Sequence, residues 1–431
     1  MNRSAKVAPP NRWTARRRRF CAVLVAFPLL AVPAGAGQAA ATSDGVVAAA
    51  VADTVSNQAN ERLQAVLDEL VVNGAPGVVA LVNDGTTTTQ LASGVRKAGA
   101  ADPLRPDARF RVGSVTKTFI ATLMLQLEQQ GRVGLGDSVE RWLPGLVPNG
   151  DQITVRMLLN HTSGVFSYTD DPEFVAGLAE NPLRHRTPEE LVSSAARHPP
   201  VFAPGTSWSY SNTNYVLAGM ILRAAGRAPL AVQLNWRVLR PLGLHETGFP
   251  AGPRIGGYFA HGHLPADNPF VPSPNDQPVD ITAISPSIAW AAGGMTSTTG
   301  DLARFYSALL GGRLLAPEQL RELKQLVQID PTVGYGLGLT HQRTACGDIW
   351  GHGGSIPGYE TLAFADETGR RQVVLAMTIN PDQNTGPLLG LAADSAVCQM
   401  FGRLPLNPSA ALAPLQSLPG QAAGRSATFL S

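Results

Sequence analysis

The second long helix that the sequence predicts opens with the segment Phe110-Arg111-Val112-Gly113-Ser114-Val115-Thr116-Lys117. From this segment onward, apolar residues recur at the spacing of one helix face, namely Val115, Phe119, Ile120, Leu123 and Leu127. Gly131 ends the pattern. Residues three apart on a helix lie on nearly the same face. The Ser114 hydroxyl and the Lys117 amine are therefore expected side by side, at the start of a helix over about residues 114–130.

A serine and a lysine in this arrangement can carry nucleophilic catalysis. Burial against a sheet would lower the pKa of Lys117 and make a neutral amine available as a base for Ser114. The helix N-terminus adds partial positive charge where an oxyanion would form. Of the four lysines in the chain, only Lys117 follows a serine by three residues. The alternative is an N-cap serine with an exposed lysine, and two further motifs favour the catalytic interpretation.

These two motifs supply the remaining groups of a predicted site. Tyr210-Ser211-Asn212 follows a Pro-Gly turn and precedes a helix, so Tyr210 can carry a proton and Asn212 can bind a substrate carbonyl. The small residues of Trp350-Gly351-His352-Gly353-Gly354-Ser355 let a ligand lie along the backbone, with main-chain amides as part of an oxyanion hole. The alternatives are an interface aromatic for Tyr210 and a tight turn for the Gly-rich segment. We also expect Thr169 to contact the substrate.

The outer parts of the chain predict an antiparallel sheet. Four stretches have strand patterns and form two hairpins, residues 77–82 with 86–91 and residues 360–365 with 372–378. Helices are expected over about residues 57–73 and 387–401. The region of about 115–300 is mainly helical and often broken by Pro and Gly. We predict an α+β fold in which an antiparallel sheet is flanked by helices and carries an inserted helical subdomain.

The ends of the chain differ in composition from this catalytic domain, which is expected over residues 57–402. Residues 1–41 combine a positive segment, an apolar run too short to span a bilayer and an Ala-rich stretch, the order of a secretory signal peptide. Their alternative is a membrane anchor. Residues 42–56 are expected to form a mobile leader, and residues 403–431 a disordered tail rich in Ala, Pro, Gly and Ser. We expect a secreted or cell-envelope protein with no stable membrane span.

The mature protein differs in charge from the full chain. The chain has 34 basic and 32 acidic residues, and seven of the basic residues but none of the acidic ones lie in residues 1–41. The mature protein would carry a net charge near −5. Its sequence shows no basic patch, so nucleic acid is not an expected partner. Its two cysteines, Cys346 and Cys398, could form one disulfide in an oxidising compartment, and the alternative is two separate thiols.

The three motifs, in this order and spacing, resemble the serine beta-lactamase and penicillin-recognising superfamily. Tyr-Ser-Asn and His-Gly-Gly are similar to the motifs of its class C beta-lactamase branch, and within that branch the chain resembles secreted D-alanyl-D-alanine carboxypeptidases. The resemblance covers about residues 63–398 and includes residues 109–114, 153–156, 210–214 and 335–339. It implies a beta-lactamase/transpeptidase-like fold and a bridge between Cys346 and Cys398, with no cofactor and no metal.

The resemblance also implies a role for each residue of the site. Ser114 would be the acylated nucleophile, Lys117 its base, and Tyr210 a proton shuttle that also serves deacylation. The backbone amides of Ser114 and Ser355 would form the oxyanion hole, and His352 would line the strand edge. The residues expected to bind substrate are Asn212, Thr169, His352, Gly354 and Ser355.

The implied activity is that of a D-alanyl-D-alanine carboxypeptidase acting on peptidoglycan-type peptides. Two positions differ from such relatives, which often have a threonine at Gly353 and an arginine near Thr340 for the substrate's terminal carboxylate; Arg343 is a candidate replacement for that arginine. The expected partners are a small peptide or ester substrate and beta-lactams, and we expect a monomer. The alternatives are an esterase or beta-lactamase of the same family, and an inactive protein that binds peptidoglycan or beta-lactams.

Overall fold

The computed structural model describes residues 43–404 apart from residues 269, 270, 272 and 274–276. The predicted signal peptide, residues 1–41, and residues 405–431 of the predicted tail lie outside the described residues. Within the described chain, a large antiparallel sheet with helices against it confirms the predicted α+β fold.

The strands form one main sheet and two small ones. In chain order they are β1 (Gly77–Asn83), β2 (Thr88–Gly94), β3 (Phe110–Arg111), β4 (His263–Leu264), β5 (Val279–Asp280), β6 (Thr296–Ser297), β7 (Val327–Gln328), β8 (Val333–Tyr335), β9 (Thr340–Thr344), β10 (Gly347–Ile356), β11 (Tyr359–Ala365) and β12 (Gln372–Met377). The main sheet has the spatial order β2-β1-β12-β11-β10-β9-β8-β7, and β3 pairs with β6 and β4 with β5. All these pairs are antiparallel.

The two predicted hairpins meet in the main sheet, where residues 78–83 of β1 pair with residues 372–377 of β12. Alternate residues of β1 belong to different cores. Val79 and Leu81 pack on one face of the sheet, whereas Val78 and Ala80 pack on the other. Because both faces are covered, β1 and β12 are buried almost throughout and have continuous apolar sequences.

Helices cover the two faces of the sheet. They are α1 (Ser43–Val72), α2 (Thr116–Gln129), α3 (Val139–Trp142), α4 (Val155–Leu159), α5 (Pro172–Glu180), α6 (Pro188–Ala196), α7 (Asn212–Gly226), α8 (Leu230–Leu234), α9 (Arg240–Leu242), α10 (Thr299–Leu310), α11 (Pro317–Leu323) and α12 (Thr385–Met400). The later turns of α1 pack with α12 on one face, and α2 and α7 lie in the larger core on the other. Taken singly, none of the described helices is long and apolar enough to cross a membrane, although residues 212–242 meet that test as a pair bent by 76°.

The first helix begins earlier than the sequence predicts. Its backbone is helical from Ser43, so most of the expected mobile leader, residues 42–56, belongs to α1. No Gly or Pro occurs in residues 46–73, and alanine, the strongest helix former, is frequent over residues 48–52. Nothing in the sequence therefore ends the helix before Gly74, which adopts a left-handed φ of +110° just beyond it.

Two glycines let the turn before α2 lie directly against β10. Gly113 has a φ of +50°, and a Cβ built there would lie 2.8 Å from the carbonyl oxygen of Ser355. A Cβ on Gly354 would lie 2.0 Å from the carbonyl oxygen of Val112. Since real Cβ atoms do not approach so closely, a side chain at either glycine would push the turn that carries Ser114 away from the strand.

The edge of β10 beside this turn is only partly paired. β9 pairs with residues 347–351 of β10, whereas residues 352–356 have no strand on that side in the described part of the chain. An unpaired strand edge can take up an extended ligand as an additional strand. The fold therefore offers a binding edge next to Ser114.

A disulfide joins the turn before β10 to the last helix. Cys346 and Cys398 are bonded, with their Cα atoms 5.0 Å apart and a separation of 52 residues in sequence. This is the pairing that the family resemblance implies. The bridge fixes the start of β10 against α12, at the end of the strand remote from Ser114.

Candidate active site

Ser114 lies at the entrance of α2, and its hydroxyl faces the amine of Lys117. The Lys117 Nζ lies 2.9 Å from Ser114 Oγ and 2.7 Å from both Asn212 Oδ1 and the Ala292 carbonyl oxygen. The two carbonyl oxygens can only accept hydrogen bonds, so each takes an N–H from Lys117. A neutral amine has two N–H groups and one lone pair, which then faces Ser114 and accepts its hydroxyl proton. The geometry thus presents the serine with a base.

Burial favours this neutral form of the amine. The Lys117 side chain has no exposed surface, and burial lowers its pKa well below that of a free lysine. None of the described carboxylates forms an ion pair with it to reverse this effect. The rings of Tyr210 and Tyr215 lie beside the amine, with centroids 4.8 Å and 5.6 Å from Nζ. Their apolar bodies keep water away from the pair.

Tyr210 adjoins both members of the pair. Burial raises the pKa of Tyr210, and contact with the Ser114 hydroxyl acts in the opposite direction. The phenol therefore keeps its proton at neutral pH. The Tyr210 hydroxyl forms no full hydrogen bond with any group in the described part of the chain. The buried hydroxyl thus retains a donor and an acceptor for a substrate atom, as the predicted proton shuttle requires.

Asn212, the first residue of α7, is oriented from two sides. Its Oδ1 accepts from Lys117, and its Nδ2 lies 3.2 Å from Thr169 Oγ1. The Thr169 hydroxyl is buried and also lies 2.8 Å from Ser167 Oγ. The structure therefore places Thr169 behind Asn212, where it orients the amide, and not on the surface at which the sequence predicts a substrate contact.

The backbone amides of Ser114 and Ser355 lie in adjoining segments. A Cβ on Gly354 would lie 3.1 Å from the Ser114 nitrogen, so these two chain segments touch without intervening side chains. Such a pair of amides can stabilise the negative charge on a tetrahedral intermediate. The Ser355 side chain points elsewhere, with Oγ 3.4 Å from Asn380 Nδ2. Gly354 and Ser355 therefore contribute through their backbone.

His352 lies in the stretch of β10 that is unpaired on the β9 side, and its side chain is buried. Its Nε2 accepts a hydrogen bond from the Tyr335 hydroxyl at 2.8 Å. Burial lowers the pKa of His352 to about 3, and the nearby Lys117 acts in the same direction. Alternation along β10 turns this side chain into the protein interior, so that it supports the site from behind.

Arg343 does not replace the missing carboxylate-binding arginine. It is exposed and pairs in register with Asp348, whereas Thr340 pairs with Gly351. At about 3.3 Å per residue, Asp348 and Gly354 are roughly 20 Å apart along β10. Arg343 therefore lies at the opposite end of the strand from the Ser114 hydroxyl.

Sequence reasoning missed Tyr335, whose ring packs edge-on against His352 and lies within 6.3 Å of Tyr210, centroid to centroid. The ring of His161 also lies close to the site, 4.3 Å from that of Tyr210. Tyr335 belongs to one of the stretches that carry the resemblance, which was the available signal. Its contacts depend on the pairing of β8 with β9, and no local pattern contains that information.

The fold matches a solved structure of a hydrolase. The D-stereospecific amidohydrolase from Streptomyces sp. is 41% identical, and the match covers 74% of this chain and 94% of that chain with a TM-score of 0.68. This coverage includes nearly all of the amidohydrolase. The likeness therefore extends well beyond the three motifs.

Two curated relatives and one family model give the same picture. Penicillin-binding protein 4* of Bacillus subtilis (strain 168) is 28% identical over 273 residues, covering 60% of this chain and 58% of that protein. Esterase EstB of Burkholderia gladioli is 34% identical over 200 residues, covering 44% of this chain and 51% of the esterase. The chain thus matches little more than half the length of these relatives. The family model described as Beta-lactamase matches residues 63–396, and the chain belongs to this family of serine hydrolases.

Proposed function

We propose that this protein is an exported amidohydrolase that is acylated on Ser114 and cleaves amides of D-amino-acid derivatives. The observation that carries the proposal is the lone pair of Lys117, which its two carbonyl partners direct at the Ser114 hydroxyl. A protein that only binds peptidoglycan or beta-lactams would have no need of a desolvated base beside a serine. The 41% identity to a D-stereospecific amidohydrolase supports the substrate class.

The proposed reaction has two half-reactions. Ser114 Oγ attacks the substrate carbonyl carbon while its proton passes to Lys117 Nζ, and the backbone amides of Ser114 and Ser355 stabilise the oxyanion. Tyr210 then gives its proton to the leaving nitrogen and takes one from Lys117, and the C–N bond breaks. Water attacks the resulting ester, passes a proton through Tyr210 to Lys117, and Ser114 leaves with that proton. The enzyme regains its starting state.

The leaving group of the carboxypeptidase relatives does not fit this site, because Thr340 provides no cation and Gly353 no hydroxyl for a terminal carboxylate, and Arg343 lies elsewhere. We therefore favour an uncharged amide leaving group over the D-alanine carboxylate of a D-alanyl-D-alanine peptide. An ester leaving group is the second candidate, supported by the 34% identity to esterase EstB. A beta-lactamase would share the acylation step and differ in the speed of deacylation.

Acylation is the first test of the proposal. Incubation with a penicillin or a nitrophenyl ester should add the acyl mass to the peptide that contains Ser114, and Ser114→Ala should give no adduct. Lys117→Met should slow acylation by about 10²- to 10⁴-fold, because a general base is lost. Mass spectrometry over time measures both, and rapid disappearance of a penicillin adduct would indicate a beta-lactamase. No adduct on the wild-type protein, together with no hydrolysis of any ester or amide, would refute the proposal that the protein is an enzyme.

The pH dependence of acylation should reflect the buried lysine. Lys117 must be unprotonated to act, so kcat/KM falls as the pH drops through its pKa; since burial lowers that pKa, the rate should stay high well below the value of about 10.4 for a free lysine. A neutral nitrophenyl ester followed from about pH 5 to about pH 10, with Ser114→Ala as the background, provides the measurement. A rate that still rises tenfold per pH unit towards pH 10 would show that Lys117 is charged in the free enzyme.

Substrate preference distinguishes the candidate leaving groups. D-phenylalaninamide should be hydrolysed faster than its L enantiomer, and a peptide amide ending in D-Ala-D-Ala-NH₂ should be cleaved about 10- to 100-fold faster than the same peptide with a free carboxylate. The carboxylate lacks a cation here, and each absent charge-assisted hydrogen bond is worth about 1.5–3 kcal/mol. Release of ammonia measures hydrolysis of the amides, and release of D-alanine measures hydrolysis of the peptide with a free carboxylate. Faster cleavage of the free acid would restore the carboxypeptidase assignment.

Export is proposed from the order of features in residues 1–41 and from the disulfide, which is typical of oxidising compartments. Protein recovered from the culture medium of an expressing bacterium should begin near residue 42 and contain no free thiol. N-terminal sequencing and thiol titration after unfolding give the answer. Cell-associated protein that keeps Met1 and has three free thiols would contradict the proposal.

A further inference from the structure

Four hydrogen bonds form a continuous row behind the candidate site, through His161, Tyr335 and His352. The row begins at the Ser211 amide, which lies 3.1 Å from His161 Nδ1. His161 Nε2 lies 3.2 Å from the Tyr335 hydroxyl, which lies 2.8 Å from His352 Nε2. It ends where His352 Nδ1 contacts the Gly353 carbonyl oxygen at 2.5 Å. All three side chains are buried.

The direction of every bond in the row is determined by its two ends. The Ser211 amide can only donate, so Nδ1 of a neutral His161 accepts and its proton is on Nε2. His161 therefore donates to Tyr335, whose own proton goes to His352 Nε2. At the other end the Gly353 carbonyl can only accept, so the His352 proton must be on Nδ1. Both ends, assigned independently, require that the Tyr335 hydroxyl accepts a hydrogen bond from His161 and donates one to His352.

Both histidines are held in the neutral form that this arrangement needs. Burial lowers the pKa of His161 well below its usual value. Asn214 Nδ2 gives His161 Nδ1 a second donor at 3.2 Å, so a proton on that nitrogen would face two donors. His161 also has a left-handed φ of +64°, a conformation that persists in a residue other than glycine only where surrounding contacts enforce it.

The row connects the two halves of the site. Ser211 follows Tyr210 in sequence, and the His161 ring packs on the Tyr210 ring with centroids 4.3 Å apart. Gly353 precedes the Gly354 and Ser355 segment that touches the turn of Ser114. One end of the row therefore holds the backbone beside the proposed proton shuttle. The other holds the strand that carries the second oxyanion amide.

We propose that His161 and Tyr335 are positioning residues, which set the Tyr210 hydroxyl and the Ser355 amide at the correct distance from Ser114. This inference rests on the proposed acylation of Ser114. Neither residue touches the reacting atoms, and both act through bonds to the backbone and to His352. Positioning of this kind matters because a displacement of about 1 Å can cost roughly 100-fold in rate.

Tyr335→Phe tests the proposal, since it keeps the ring and removes only the hydroxyl that links the two histidines. The acylation rate constant, measured in single turnovers with a nitrophenyl ester, should fall about 10- to 100-fold. The substrate dissociation constant should change less than about threefold, because no binding contact is lost. Acylation at the wild-type rate would overturn the inference.

Tyr359→Phe is the matched control for the loss of a buried hydroxyl. The Tyr359 side chain is also fully buried, and its hydroxyl donates to the Ala260 carbonyl at 2.9 Å, outside the row. It should lower the melting temperature by about as much as Tyr335→Phe while leaving the acylation rate constant near that of the wild type. Equal slowing in both variants would show a general structural effect and overturn the inference.

His161→Asn gives an independent variant should Tyr335→Phe fail to fold. Asparagine tolerates a positive φ and keeps an acceptor for the Ser211 amide, but it has no donor that reaches Tyr335. It should slow acylation at least as much as Tyr335→Phe, and the double variant should lose less than the product of the single losses. Fully multiplicative losses, or no loss in His161→Asn, would overturn the inference. If the wild-type protein itself is never acylated, the proposed function is wrong, whereas failure of the variants alone would overturn only the positioning role of His161 and Tyr335.

Discussion

The site depends on keeping one lysine uncharged inside the core. Lys117 is fully buried, and its fixed partners besides Ser114 are two carbonyl oxygens, where a carboxylate would have kept it charged. This choice lowers stability: between the folded and unfolded pKa values the unfolded chain binds a proton that the folded protein does not, so stability falls as the pH drops through that window. This loss of stability accompanies the burial that leaves Lys117 uncharged, and therefore able to act as a base, at neutral pH.

Much of the surrounding structure serves to keep the amine in that position. Gly113 and Gly354 let the turn of Ser114 contact β10 by backbone alone, which brings the oxyanion amides close to the nucleophile without side chains between them. Thr169 orients Asn212 so that its carbonyl, and not its NH₂, faces Lys117. The neutral histidines behind Tyr210 add polar contacts without adding charge. A cation there would repel a protonated Lys117 and a carboxylate would stabilise it, so only neutral groups leave its pKa to burial.

The features that sequence could predict are local ones. The helix after Ser114, the two hairpins and the three motifs depend on spacing within a few residues, and the structure contains them close to the expected bounds. Their relative directions could not be predicted, because a shift of one residue in strand register reverses the face of every side chain. This is why the inward direction of the His352 side chain could not be predicted. The positions of Thr169 and Arg343 depend instead on how separate segments of the chain pack and pair, which no local pattern contains. The early start of α1 has another reason, since the apolar face that predicts the helix begins only at Leu63, whereas the alanine-rich residues before it are helical by propensity.

The same distinction explains why the chemistry is better defined than the substrate. Acyl transfer needs a nucleophile, a base and two amides. Ser114 and Lys117 lie three residues apart at the entrance of α2, and the two amides belong to that entrance and to β10, so one helix entrance and one strand bring all four groups together. Selection of the leaving group depends on side chains along the open edge of β10 and near β9, where Gly353 and Thr340 offer little to a charged group. A carboxylate bound there would be partly desolvated without a cation, whereas an amide or ester could use the backbone edge alone. This difference in desolvation is the physical reason for proposing uncharged leaving groups.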